Sequence, residues 1–151
     1  MATERDIYWM QQALVLAHQA AENHEVPVGA LIVLVDQVIS LSYNKPITNN
    51  DPTAHAEILA LREAANHLGN YRLLKTTLYV TLEPCLMCLG AMVHARVERL
   101  VFGAFDPKSG AAVSCASMFE LPFLNHRVKC EGGVLNEACA DVLKHFFKKR
   151  R

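Results

Sequence analysis

The spacing of apolar and polar residues changes repeatedly between a helical and an extended period along this chain. Between residues 7 and 21, apolar residues recur at helical spacing with polar residues between them, which predicts an amphipathic helix. Two apolar, partly β-branched runs follow, at Val28–Val35 and Val38–Leu41. Because only the two-residue link Asp36-Gln37 separates these runs, they are predicted to form a β-hairpin.

The middle of the chain is predicted to contain a functional loop and a second helix. Residues 44–53 are rich in turn-forming residues, and Thr53 has the hydroxyl that an N-cap position favours. The helical pattern then covers Ala54–Leu68, and Gly69 is placed to end it. This helix is therefore predicted to begin almost at His55.

The second half of the chain continues the alternation of strand and helix. A short apolar run at Thr77–Leu82 ends at Glu83, and Pro84 is predicted to occupy the first position of a helix that continues to Ala95. Together these elements predict an α/β protein in which helices cover a mixed sheet. The remaining predicted elements are strands at Val97–Gly103 and Arg127–Cys130, a loop at Asp106–Gly110 and a terminal helix at Asn136–Phe147.

Length, charge and cysteine spacing narrow the class of protein. The 151 residues carry no repeat, linker or change of composition, which predicts a single domain over residues 1–151. Fifteen Lys and Arg balance fifteen Asp and Glu, so any surface for nucleic acid has to be local. Of five cysteines only Cys85 and Cys88 lie close together, which argues against a secreted disulfide framework and for a reducing, cytoplasmic location. The longest apolar run, at Val26–Val35, is far shorter than the ~18 residues of a membrane span, so no membrane segment is expected.

Two short motifs supply residue types that bind zinc. The first is His55-Ala56-Glu57, and the second is the run from Glu83 to Cys88. Catalytic zinc sites commonly use three imidazole or thiolate ligands and leave a fourth position to water. Cys85 and Cys88 are three positions apart, so they lie on one helix face, and a helix N-terminus favours the thiolate form. We therefore predict one Zn²⁺ per subunit, bound by His55, Cys85 and Cys88. The alternatives are a structural zinc site, which would need a fourth ligand, and a Cys-x-x-Cys spacing that arises by chance.

Glu57 is the candidate catalytic residue because it lies two positions after His55 without being needed as a ligand. Side chains at a helix start lean toward the N-terminus, so its carboxylate is expected to reach a water molecule on the metal. Zinc lowers the pKa of such a water toward ~7, and Glu57 would take the proton as general base and return it to the substrate as general acid. An ordinary carboxylate favoured by the helix dipole is the alternative role.

The two motifs resemble those of the zinc-dependent nucleobase deaminases. Over nearly the whole chain, from Tyr8 to Phe147, the sequence is similar to the bacterial tRNA-specific adenosine deaminases. This resemblance implies a cytidine deaminase-like α/β fold with three layers, in which helices flank a mixed central sheet of about five strands. The segments that carry the resemblance are Val26–Ala30, Asn44, Asp51–Glu57, Asn70–Leu73, Thr81–Cys88 and Asn125–Val128.

The resemblance also implies an activity and partners. It implies attack of zinc-bound hydroxide on C6 of adenosine at the wobble position of a tRNA anticodon, which yields inosine, with Glu57 as the proton shuttle. A tRNA anticodon stem-loop and a second copy of the chain, in a homodimer, are the implied partners. A deaminase of a free base, nucleoside or nucleotide, such as cytidine, deoxycytidylate or guanine, is one alternative, because it would share the zinc-site residues. A catalytically idle RNA-binding module that keeps zinc for folding is another.

Contacts with the RNA are expected around the metal site and at the end of the chain. By resemblance, Asn44 helps to hold the target nucleotide, Asp106 faces the RNA and the terminal helix touches the stem-loop. Asp106 would accept a hydrogen bond from a ribose 2′-hydroxyl, and the backbone amides of Ala56 and Glu57 are candidates to hold the polar edge of the base. The basic tail is a candidate for phosphate contacts and base stacking. The full set of candidates is Asn44, Ala56, Asp106, Lys108, Asn125, Arg127, Phe147, Arg150 and Arg151.

Several of these residues also have purely structural explanations. Asn44 and Asp106 belong to residue types common in loops, and a basic helix end interacts favourably with the helix dipole. Glu83 precedes a proline at a strand end, so we expect it to cap the cysteine helix rather than to contact substrate. The remaining cysteines have no partnered spacing and are expected to be small buried hydrophobes; they are Cys115, Cys130 and Cys139.

Overall fold

A computed structural model describes residues 2–150 of the chain, in which a five-stranded sheet lies between two pairs of helices. The alternation of strands and helices follows the predicted order. The elements are α1 (Glu4–Glu22), β1 (Gly29–Leu34), β2 (Gln37–Tyr43), α2 (Ala56–Leu68), β3 (Thr77–Leu82), α3 (Leu86–Ala95), β4 (Arg99–Ala104), a short 3-10 helix (Met118–Glu120), β5 (Lys129–Glu131) and α4 (Asn136–Lys149).

The sheet is mixed, with strand order β2-β1-β3-β4-β5. Strand β1 pairs antiparallel with β2 and with β3, whereas β3, β4 and β5 run parallel to one another. Parallel neighbours require a crossover connection, and α3 provides it between β3 and β4. The predicted mixed sheet of about five strands is therefore confirmed.

Two apolar clusters, one on each face of the sheet, give the fold three layers. On one face α2 and α3 pack against inward side chains of the strands, among them Ile32, Val80 and Phe102. On the other face α1 and α4 pack against Leu31 and Val101. This arrangement confirms the expected three-layer architecture. Within residues 2–150, no helix combines the length and the apolar character that crossing a membrane requires.

Helix α1 begins three residues before the predicted start at Ile7 because Thr3 and Asp6 form a capping box. The Thr3 hydroxyl accepts a hydrogen bond from the Asp6 amide at 3.1 Å, and the Asp6 carboxylate accepts one from the Thr3 amide at 3.0 Å. These two bonds satisfy amide groups that would otherwise lack a partner at the helix start.

The β1–β2 hairpin is linked by Val35-Asp36 rather than by the predicted Asp36-Gln37. Both linking residues have positive φ values, 49° and 60°. A two-residue link with positive φ at both positions matches the right-handed twist of the flanking strands. The β-branched Val35 concealed this link in the sequence, since valine rarely adopts such a backbone conformation.

Helices α2 and α3 each begin two residues later than predicted. Thr53 is not the N-cap of α2, because its amide and hydroxyl donate to the Asp51 carboxylate at 2.9 and 2.8 Å. His55 is the N-cap of α2 and Cys85 the N-cap of α3, so Pro84 precedes the helix instead of opening it. Neither N-cap side chain makes a hydrogen bond to its own helix.

Candidate metal centre and active site

The first turns of α2 and α3 bring His55, Cys85 and Cys88 together. His55 Nδ1 lies 3.6 Å from Cys85 Sγ and 3.5 Å from Cys88 Sγ, and one ligand atom of each residue lies within 4.8 Å of the others. Tetrahedral zinc with ordinary Zn–N and Zn–S bonds separates a nitrogen from a sulfur ligand by about 3.6 Å. The three side chains thus fit one zinc ion and leave the fourth coordination position to a small ligand.

The positions of these residues in their helices explain how they converge. Both N-cap residues, His55 and Cys85, leave their side chains unused by the helix backbone, and Cys88 lies one turn into α3. The pKa of the Cys85 thiol is lowered to about 3, mainly by the hydrogen bond from Cys88 and to a smaller extent by the hydrogen bond with His55. The contact with Cys85 in turn raises the pKa of His55. Cys85 therefore has the thiolate character that metal binding requires.

Glu57 lies beside this cluster and is outside the group of metal ligands. It is the second residue of α2, and only 4 % of it is exposed. Burial raises the pKa of its carboxyl to about 7, against the opposing effects of its own amide and of His55. A buried carboxyl next to a metal position is suited to exchange a proton with a molecule bound there.

Glu83 does not cap α3, contrary to the expectation from sequence. Its buried carboxylate accepts hydrogen bonds from the amides of Asp106 at 3.0 Å, Val113 at 2.8 Å and Ser114 at 2.9 Å, and a fourth from the Ser114 hydroxyl. Burial alone would raise the pKa of Glu83, but these bonds, led by those from Ser114, outweigh it and lower that pKa. Glu83 therefore holds the loop of residues 106–114 against the end of β3.

Glu25 has a similar role that sequence reasoning missed. Its buried carboxylate accepts bonds from the Ile47 amide at 3.3 Å, the Thr48 amide at 2.6 Å and the Thr48 hydroxyl at 2.7 Å. These bonds fix the loop of residues 44–55, which leads into His55. A single carboxylate directly before the apolar run at Val26–Val35 was the available signal in the sequence.

Asn44 and Asp106 lie in the two loops that border the metal position. Asn44 is 8 % exposed, and its backbone amide donates to the carbonyl of Val28 at 3.0 Å. The next amide, of Lys45, donates to the carbonyl of Ala54, which keeps Asn44 near the start of α2. Asp106 Oδ1 accepts bonds from the amides of Lys108 and Ser109, so one of its oxygens already serves the loop itself.

The three other candidates for RNA contact outside the basic tail differ in their surroundings. Asn125 and Lys108 are exposed. Arg127 is exposed as a residue, but its guanidinium donates to the carbonyls of Phe119 and Leu121 at 2.7 and 2.8 Å. Arg127 therefore already has partners in the fold.

The basic tail lies apart from the metal ligands. Phe147 is half-exposed and packs edge-on against Phe146, whose ring has the Arg150 guanidinium 4.3 Å from its centre. Arg150 also lines a cleft of about 790 Å³ between the ends of α1 and α4, which contains none of the metal ligands. Arg151, another predicted contact, lies outside the described residues. The structure thus brings residues 44 and 106 toward the site, but not the tail.

The remaining cysteines differ from expectation. Cys139 is fully buried between α4 and the sheet, as expected. Cys115 and Cys130 are exposed, which corrects the expectation for both. Cys130 lies on the short edge strand β5, and Cys115 belongs to the loop region after β4, so neither position faces an apolar cluster.

Comparison with known proteins places this site in a family. The MafB19-like deaminase family matches residues 4–151. A tRNA-specific adenosine deaminase of Haemophilus influenzae is 51 % identical over 152 residues, which cover 99 % of this chain and 87 % of that protein. Another, of Buchnera aphidicola from Schizaphis graminum, is 44 % identical over 159 residues, which cover 100 % and 99 % of the two chains.

A solved structure agrees with these sequence relatives. It comes from biochemical and structural studies of A-to-I editing by tRNA:A34 deaminases at the wobble position of transfer RNA. It superposes with a TM-score of 0.88 at 45 % identity, covering 90 % of this chain and 99 % of that one. The chain therefore belongs to the MafB19-like deaminase family, and its full-length relatives make it a member of the tRNA-specific adenosine deaminases.

Proposed function

We propose that this protein hydrolyses the exocyclic amine of adenosine at the wobble position of a tRNA anticodon, converting it to inosine with release of ammonia. The convergence of His55, Cys85 and Cys88 beside the buried carboxyl of Glu57 supports this proposal most directly. The names of the sequence relatives supply the substrate. An anticodon loop suits such an enzyme because its bases are unpaired, which lowers the cost of moving the target base into a pocket.

The three metal-binding residues and Glu57 have different roles in the proposed reaction. Zinc held by the three ligands would supply a Lewis acid that activates water at neutral pH. Glu57 accepts the proton that this water loses, returns it to the ring nitrogen of adenine and assists departure of the amine. Water contributes its oxygen to C6 and the amine leaves as ammonia, so the reaction needs no further reactant.

Residues around the ligands would orient the base and the RNA. The first amides of a helix have no partner within it, so the amide of Ala56 is available to the polar edge of the base. Asn44, in the loop before α2, would help to hold the nucleotide, as its resemblance to the family implies. Arg127 would contact the RNA while it keeps its hydrogen bonds to the Phe119 and Leu121 carbonyls. The further residues to which we assign RNA contacts are Asp106, Lys108, Asn125, Arg127, Phe147, Arg150 and Arg151.

The experiment is an assay of zinc-loaded protein on an anticodon stem-loop with a wobble adenosine, with free adenosine, cytidine, deoxycytidylate and guanine in parallel. We expect inosine from the stem-loop and no product from the small molecules. Product from a free base, nucleoside or nucleotide alone would keep the zinc chemistry and replace the substrate. If no substrate reacts, an RNA-binding role without catalysis is the better description.

The basic tail provides a second test of substrate class. Deletion of residues 148–151 is expected to raise KM for the stem-loop about tenfold, because cationic side chains near phosphates supply salt-dependent affinity. The effect should shrink at high salt, as measured by steady-state kinetics at two ionic strengths. Unchanged KM at low salt would remove the tail from the proposed RNA surface.

We also propose that the protein acts in the cytoplasm as a homodimer, each subunit holding one Zn²⁺. All five cysteines are free, as expected of a protein in a reducing compartment. Exposed apolar side chains at the end of α2 and just after it, Leu68 and Tyr71, offer a surface for a second copy. A monomeric mass in solution at working concentration, measured by light scattering, would exclude the dimer.

A further inference from the structure

Two buried carboxylates that are not metal ligands each hold one of the loops beside the metal position. We propose that Glu83 and Glu25 are positioning residues for the RNA substrate: Glu83 fixes the loop of residues 106–114, and Glu25 fixes the loop of residues 44–55. The inference rests on the proposed function for the identity of the substrate. The hydrogen bonds that the two carboxylates accept from the loops do not depend on that function.

Glu83 connects its loop directly to the metal-binding motif. Four hydrogen bonds from the loop end on its carboxylate, and the residue lies two positions before Cys85. The amide of Ala111 adds a bond to the carbonyl of Pro84 at 3.0 Å. Gly110 packs so closely that a Cβ there would lie 2.3 Å from the Glu83 carboxyl carbon. The position of the loop is thus set relative to the metal.

Glu25 acts on the opposite loop through fewer bonds. Its carboxylate is 1 % exposed and binds the amides of Ile47 and Thr48 together with the Thr48 hydroxyl. The same loop is closed by the bond from the Lys45 amide to the Ala54 carbonyl at 2.9 Å, next to His55. Asn44 lies at one end of this closed loop and the metal ligand at the other.

The chemistry of the two carboxylates explains why they favour a rigid entrance. An ionised carboxylate accepts several charge-assisted hydrogen bonds, each roughly twice as strong as a neutral one, and removing the charge leaves buried amides without partners. Fixed loops cost less entropy when substrate binds. Loss of either carboxylate should therefore weaken substrate binding more than it slows the chemical step at Glu57.

The test compares Glu83→Gln and Glu25→Gln with the exposed control Glu120→Gln in the zinc-loaded full chain. Glutamine keeps the volume but has one acceptor oxygen, so loop amides lose partners. Hydrogen exchange of amides 106, 113 and 114 should accelerate at least about tenfold in Glu83→Gln, and that of 47 and 48 in Glu25→Gln. KM for the stem-loop should rise about tenfold in both, with zinc content unchanged and kcat changed less than threefold. The control should match the parent in every measurement.

A second variant serves if Glu83→Gln does not fold. Gly110→Ala leaves the carboxylate in place but crowds it, and the same exchange and KM changes are expected. Unchanged loop exchange in these variants, or a loss of zinc or kcat without a rise in KM, would overturn the proposal. If the parent protein fails to deaminate the stem-loop, the proposed function fails, while the exchange data still report whether the carboxylates hold the loops.

Discussion

At the scale of single residues, two buried hydroxyl groups, those of Ser40 and Thr76, differ in whether they make a hydrogen bond. Within the described part of the chain, Ser40 Oγ is the buried side-chain oxygen without a partner. The Thr76 hydroxyl, also buried, donates to the Leu73 carbonyl at 2.6 Å. An unsatisfied buried hydroxyl lowers stability, whereas a satisfied one raises it.

Ser40→Ala is expected to stabilise the protein by about 1 kcal/mol, because it removes a polar group that has no partner. Thr76→Val replaces the hydroxyl by a methyl group of nearly the same size. It should destabilise the protein by about 1 kcal/mol, because the Leu73 carbonyl loses the hydrogen bond that it accepts from this hydroxyl. Urea unfolding monitored by circular dichroism measures both changes. Destabilisation by both variants would mean that Ser40 has a partner in solution, such as water.

Glu57→Gln tests the assigned proton transfer. The amide cannot exchange the proton, so kcat on the stem-loop should fall by about 10²–10⁴-fold, while zinc content and melting temperature stay close to those of the parent. Stopped assays with metal analysis of the same samples measure this. Activity within tenfold of the parent would require another proton carrier.

The metal ligands and Glu57 could be proposed from sequence because their spacing carries their chemistry. The partners of Glu83 and Glu25 could not, because they lie 23 to 31 positions and 22 to 23 positions away in loops without regular period. Arg127 illustrates the converse. Arg127 was a candidate RNA contact from the sequence, but only the fold shows that its guanidinium already donates to two carbonyls.

At the scale of elements, α1 is attached to the sheet by an ion pair in which the Asp6 carboxylate is buried and the Arg99 side chain is partly exposed. Asp6, 2 % exposed at its side chain, receives two bonds from Arg99 at 2.7 and 2.8 Å and one from the Tyr79 hydroxyl at 2.7 Å. Burial alone would raise the pKa of Asp6, but the bonds from Arg99 and Tyr79 outweigh it and hold that pKa well below its ordinary value. The helix start is thus joined to β3 and β4.

Asp6→Asn is expected to destabilise the protein by about 3 kcal/mol at neutral pH, because it leaves Arg99 without its charge partner. A depressed pKa contributes stability above the unfolded-state pKa and loses it as pH falls, so the difference from the parent should shrink below about pH 4. Asp36→Asn, which breaks the exposed pair with Arg5, should cost less than about 1 kcal/mol. Unfolding curves at pH 7, 5 and 3 measure all three proteins; equal effects of the two variants would contradict the assignment.

Element types were predictable from hydrophobic period, and element starts were not. Rules for helix starts favoured Thr53 and Pro84, whereas the chain begins α2 and α3 after His55 and Cys85. At α2, the Thr53 side chain bonds to Asp51 and so does not cap the helix. At the starts of both helices, the N-cap position is occupied by a candidate metal ligand instead of a residue that caps with its side chain. The 3-10 helix at Met118–Glu120 has no periodic signal, because three residues are too few to show one.

At the scale of the whole molecule, the three ligands join two helices that are distant in sequence. His55 lies 30 positions before Cys85, and both helices pack on the same face of the sheet. A metal bound there would act as a cross-link that the unfolded chain lacks. A metal ion that binds only the native state raises the free energy of unfolding by about 4 kcal/mol when the concentration of free metal is a thousandfold above Kd.

Removal of zinc with a chelator is therefore expected to lower the melting temperature, and added zinc should restore it. Cys88→Ser should lower zinc affinity and largely abolish the zinc-dependent shift, because one of three ligands is lost. Differential scanning calorimetry with metal analysis measures this. A melting temperature independent of zinc, in samples shown to have lost it, would mean that the cluster forms without contributing to stability.

Three of the four bonds to Glu83 come from main-chain amides, and this has a consequence for how the protein can diversify. Since every residue except proline carries such an amide, most substitutions at position 113 keep its bond to Glu83. Asp106 and Gly110 are less replaceable, because the Asp106 carboxylate also accepts bonds from the Lys108 and Ser109 amides and Gly110 has no room for a side chain. The exposed Val113 side chain can therefore be exchanged while the main-chain bond that holds its part of the loop persists.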